Sequence, residues 1–166
     1  GWEEPAGYAQ NLVAYGVVTF DGVYVALPPL PFAGTEDQLM ANFRTVYEEM
    51  NFASFPELMH PEFLMLLQQS TIEEFPDLGQ TLDLNEELRI ARRMFSGDPV
   101  VDPDGALVPG VSGIDFPIFE RQGPWADTPA TDLFPNTRSA LFDVVLFFDR
   151  QGFSTMRVEG MMKFFV

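Results

Sequence analysis

Few residues of this 166-residue chain could do chemistry: one histidine, a tyrosine inside an apolar stripe, an acid–arginine–acid set near the C-terminus, and clustered aspartates. His60 lies in "FPELMHPEFLMLL", Phe55 to Leu67. An imidazole with an ordinary pKa of about 6.5 suits a general base. His60 also sits where Pro61 stops a short helix, and there it can cap the last carbonyls, which makes it a joint. Tyr47 offers a phenol hydroxyl, or is a core tyrosine with that hydroxyl satisfied. Asp143, Arg157 and Glu159 form a cluster or a surface ion-pair network according to strand register. Asp98, Asp102 and Asp104 place oxygens at short intervals, faintly like a calcium loop, but two prolines interrupt them and no bidentate glutamate follows at the required distance. The expectation is a solvated, turn-rich loop with no metal site. No cofactor is expected, because no Ser-His-Asp set and no glycine-rich phosphate cradle is present.

The positioning elements must come from one solid core, since a chain of this length buries roughly 70% of its extended surface. With 46% apolar residues, 17 Phe and 8 Met, the chain is expected to fold despite a net charge of -16. Its cations number 9 against 25 acids, and the only lysine is Lys163. Nothing here would attract a phosphate backbone, so nucleic acid is excluded as an expected partner. Cysteine is absent, so disulfides and thiolate chemistry are excluded. No apolar run is long enough for a membrane span. The chain begins at Gly1 without Met, which is read as removal of a tag or targeting segment, with export the expected localisation and the cytoplasm the alternative.

Residues 12–27 place Asp21-Gly22 between two β-rich runs, which predicts an N-terminal hairpin with a two-residue turn. "PPLPFAG" then reads as a linker. The expected organisation is hairpin and linker over 1–34 and an α+β unit over 35–166. Thr35 with Gln38 predicts a capped helix to Met50, carrying Leu39, Met40, Phe43, Val46, Tyr47 and Met50 on one side. Ser54 with Glu57 predicts a second capped helix ending near His60, and Phe63 to Gln69 a buried strand. Asp83 with Glu86 opens a third helix that Gly97 closes in a left-handed cap. The segment 98–113 reads as a loop, "IDFPIFER" as a strand with an edge or bulge at Pro117, and 122–136 as irregular.

A final hairpin is expected over Thr137–Asp149 and Phe153–Val166, turning through Arg150, Gln151 and a left-handed Gly152. In that register Phe142, Val144, Leu146 and Phe148 share a face with Met156, Val158, Met162 and Phe164. Asp143, Val145 and Phe147 share the other with Arg157, Glu159, Met161 and Phe165. The first face is expected to be core and the second mixed.

This order of elements, with "NFRTVYEEMNFASFPELMHPEFLMLL" leading through "ELMHPEF" into the first strand and "RRMFSG" closing the third helix, resembles the nuclear transport factor 2-like superfamily, in particular its SnoaL-like and ketosteroid-isomerase-like domains. The resemblance runs from about Thr35 to Val166 and leaves the hairpin and the 98–113 insertion outside. It implies a cone-shaped curved antiparallel sheet packed on three N-terminal helices, a cavity between them, and a homodimer through the mixed outer face of the sheet. By that resemblance Tyr47 could steady an enolate oxygen, as the isomerase's tyrosine does, and Asp143, Arg157 and Glu159 could activate water as in limonene-epoxide hydrolase. Phe43, Tyr47, Phe142 and Val144 are expected to line the cavity, with Leu146, Met156, Val158 and Met162. Three functions stay open: an apolar pocket binding a small hydrophobic molecule, an isomerase, dehydratase or hydrolase acting in that pocket, and a structural or protein-interaction domain whose cavity is filled.

Overall fold

The computed structural model describes residues 17–20 and 23–166. Over these residues the fold is α+β, with three α-helices and antiparallel sheets, none closed into a barrel. Strands β1 (Val17–Phe20) and β2 (Val23–Ala26) pair antiparallel, with Val17 opposite Ala26. The expected turn, Asp21-Gly22, and residues 12–16 of the expected hairpin lie outside the described residues.

Helix α1 (Glu36–Glu48) starts where the Thr35 hydroxyl accepts the Gln38 amide at 3.1 Å. Glu36 and Asp37 in its first turn favour the dipole. It ends in a Schellman arrangement: the Asn51 amide reaches the Val46 carbonyl at 2.9 Å, the Met50 amide reaches that of Tyr47 at 3.0 Å, and Met50 takes φ 50°. The expected helix to His60 is instead a 3-10 turn over Phe55–Leu58. The Ser54 hydroxyl makes no capping bond there; Ser54 is buried beside Asn51, whose side chain accepts the Ser54 amide at 3.2 Å.

Strand β3 (Leu64–Leu66) pairs with β4 (Thr81–Asp83), and α2 (Gln69–Glu74) lies between them. Neither α2 nor β4 was expected. Helix α3 (Leu84–Ser96) carries the complete Asp83–Glu86 capping box and closes on Gly97 at φ 71°. The expected 98–113 loop holds a two-stranded ribbon, β5 (Val100–Val101) with β6 (Leu107–Val108). Gly110 brings this segment against the end of α3, since a Cβ there would lie 1.9 Å from the Gly97 carbonyl oxygen.

Three long strands form the main sheet in the order β7 (Val111–Asp127), β8 (Arg138–Arg150), β9 (Phe153–Phe165). Strand β7 runs on through residues expected to be irregular, and its register shifts between Asp115 and Ile118, around Pro117. On the other side Phe142 faces Met162, Leu146 faces Val158 and Phe148 faces Met156, the expected register, and Gly152 turns the chain at φ 73°. Helices α1 and α3 pack on β7. The buried core gathers Val46, Phe55, Ala91, Phe116, Phe142 and Val144 between these layers. Among the described residues no helix is long and apolar enough to cross a membrane.

Candidate functional site

Helical spacing on α1 points Tyr47 inward, into a cage of rings. Its centroid lies 4.8 Å from that of Phe43, 5.7 Å from Phe55, 5.2 Å from Phe95 and 5.7 Å from Phe116. The Tyr47 hydroxyl lies close enough to the Glu87 carboxyl on α3 for each to shift the other's titration. Glu87 is only 5% exposed. Burial raises the Tyr47 phenol above its ordinary value, with the Glu87 charge adding to the shift. Burial also raises the Glu87 carboxyl, and the nearby Tyr47 hydroxyl reduces that shift without cancelling it. A phenol–carboxyl pair of this kind can hold a proton. It can act only on a molecule that reaches it.

The space beside it is occupied. Phe43 also meets Phe164 at 5.4 Å, and Phe142 stacks on Phe119 at 4.9 Å. Val144 and Leu146 are buried, and Met162 is half-buried against the same cluster. Met156 and Val158 lie further along β9, each 43% exposed. The residues expected to line one cavity thus divide into a packed interior and an open stretch of strand.

His60 is exposed, and its Nδ1 accepts the Glu62 amide at 3.1 Å across Pro61. The carbonyl of His60 accepts the Phe63 amide at 2.9 Å. Its contacts belong to a chain turn, though it holds the amide that follows rather than the helix carbonyls before it. Asp143 accepts from the Gln122 side-chain Nε2 at 2.8 Å and stands opposite Met161, whereas Arg157 stands opposite Phe147 and pairs with Glu159 at 2.5 Å. Arg157 is four residues from Met161, so about 13 Å of strand separates it from Asp143. The structure does not bring the three together. Asp102 folds the β5–β6 turn, its carboxylate accepting the Ala106 amide at 2.8 Å. Among the described residues no three His, Asp or Glu side chains converge on a metal-sized space.

Two of the grooves on the described surface lie along α1 and α3. One, of about 320 Å³, runs between α1 and the sheet and is lined by Asp37, Met40, Ala41, Arg44, Phe119, Arg121 and Phe142. Asp37 closes its rim, accepting Trp125 Nε1 at 2.8 Å and Arg121 Nε at 3.0 Å. These bonds, Trp125 first, hold the Asp37 carboxyl below the usual carboxylate value. Arg44 is engaged by Glu48 at 3.1 Å and by the Phe116 carbonyl. The other groove, of about 360 Å³, lies along α3 between Asp77, Leu82, Glu86, Arg89, Ile90 and Arg93. Neither is lined by Tyr47 or Glu87.

Sequence reasoning singled out Tyr47 and missed Glu87. The signal was present: Glu87 falls on the stripe of Leu84, Leu88, Ala91 and Phe95, so an acid stands where the helix turns to the core. The Asp37–Trp125–Arg121 contact had no local signal, because its members come from opposite ends of the fold. No family model, no curated protein and no solved structure matches this chain.

Proposed function

We propose that this chain is a nuclear transport factor 2-like domain of the interaction class, with its interior filled by its own side chains and its working surface on strand β9. The order of a capped helix, a short turn, a strand, a second capped helix and three long antiparallel strands supports the superfamily reading. One observation carries the choice of class: Tyr47 is enclosed by Phe43, Phe55, Phe95 and Phe116. A pocket enzyme or pocket binder of this shape needs that space open.

Diffraction from crystals under xenon pressure tests this reading. The expected result is no xenon atom beside Tyr47; a bound xenon between Tyr47 and Glu87 would move the protein to the pocket class.

A second reading rests on the groove between α1 and the sheet, where Phe119 and Phe142 offer an apolar floor for a small hydrophobic molecule. A fragment screen followed by NMR should then perturb Phe119 and Phe142 first. Perturbation confined to other surfaces would remove this reading.

A further inference from the structure

We propose that two copies of this chain join edge to edge through β9, antiparallel, with Val158 on the two-fold axis. This rests on the interaction reading above and names the partner as a second copy. The exchange of hydrogen bonds between Arg138 and Val166, 2.9 Å each way, fixes the alternation along β9. Residues in step with Val166, including Met156, Val158 and Gly160, turn their amides and carbonyls to β8. Those of Thr155, Arg157, Glu159 and Met161 point away from the sheet. Strand β9 offers these groups over thirteen residues, without proline and without a bulge beyond its first turn. Long edges left in this state recruit another strand.

Charge selects the register. Centred on Val158, the pairing puts Arg157 opposite Glu159 of the second copy and Glu159 opposite its Arg157, so the ion pair that each chain makes within itself at 2.5 Å meets its mate in a self-complementary four-charge contact of the kind a two-fold interface requires. Both pairs exchange main-chain bonds as well. Centring on Arg157 or on Glu159 sets like charges face to face, and centring on Gly160 sets Arg157 against Lys163. Centring on Met161 would match Glu159 with Lys163 but would set Arg157 against Phe165, leaving its charge without an opposite partner across the seam. That register also shortens the overlap to Arg157–Phe165, against Phe153–Lys163 for the Val158 centre. In a chain of net charge -16, β9 carries Arg157 and Lys163 against the single acid Glu159, so like-charge repulsion between copies is eased there. The joined sheets would bring Met156 and Val158 of both copies into one apolar row.

The chain has no native cysteine, which makes cross-linking clean. At a non-hydrogen-bonded pair the Cα atoms stand about 4.5 Å apart, within disulfide reach. Val158→Cys in the full-length chain should therefore form a covalent dimer on mild oxidation, while Met161→Cys, facing Thr155 of the other copy, should not. Sedimentation should show a concentration-dependent dimer that Arg157→Glu weakens at least tenfold and the swap Arg157→Glu with Glu159→Arg restores, each variant keeping its circular dichroism spectrum. Preferential cross-linking through Met161→Cys would overturn the register. A monomer at every concentration, with no cross-link through Val158→Cys, would overturn the pairing while leaving the filled interior standing; xenon beside Tyr47 would do the reverse.

Discussion

Strands β7 and β9 both flank β8, yet β7 carries Pro117 and Pro124, shifts register at three places and lies under α1 and α3, whereas β9 runs with neither proline nor helix over most of its length. Phe116 on β7 is 1% exposed, and Val158 in the matching part of β9 is 43% exposed. Proline and bulges remove donors and twist an edge away from neighbours, so β7 cannot readily accept another strand. Strand β9 lacks these devices. Among the described residues one edge of the sheet is used to build the core, and the other carries no further strand.

The contrast breaks most visibly at the covered edge. Phe116→Ala should cost about 3–5 kcal/mol, read as a fall in the urea midpoint, because a buried ring would leave a void among Tyr47 and Phe119. Equal losses from Phe116→Ala and Val158→Ala would erase the difference between the two edges. Gly110→Ala comes next, at about 1–3 kcal/mol, because its Cβ would strike the Gly97 carbonyl and prise the start of β7 from α3. A full urea curve would check it.

Two carboxylates on the covered side should answer pH in opposite directions. Asp37 is held below its ordinary value, so its contribution is complete above about pH 4 and is lost as pH falls through the folded value. Asp37→Asn should lower stability at pH 7 by about 1 kcal/mol or less, since the group is largely exposed. It should also flatten the acid limb. Glu87 is raised, so stability favours its protonated form and declines as pH rises from about 4 through the folded value. Glu87→Gln should match the parent at low pH and exceed it at pH 7, measured by denaturation at both. The smallest effect is expected at the open edge: Val158→Thr should leave the monomer within about 0.5 kcal/mol of the parent.

Local chemistry made α1, α3 and the β8–β9 pairing legible. Thr35, the Asp83–Glu86 box and Gly97 mark helix ends within a few residues of themselves, and a left-handed Gly152 sets the register of everything on either side of it. The pairing of β3 with β4 was not legible, because it joins Leu64 to Asp83 across an intervening helix. Strand β7 was read too short because Gly113, Pro117, Gly123 and Pro124 interrupt its alternation, although β8 accommodates each interruption as a register shift. Ser54 was misread as a cap because its sequence neighbours resemble one; burial beside Asn51 gave its hydroxyl another partner.

The sequence by itself determined the α+β class, the helix caps and which side chains of β8 and β9 share a face, because each follows from spacing along a few turns of chain. Only the tertiary structure decided that Tyr47 meets Glu87, that Asp37 meets Trp125, that Asp143 stays apart from Arg157, and that β9 is the outer strand of the sheet among the described residues. Those outcomes depend on which distant surfaces bury one another, and no local period encodes that.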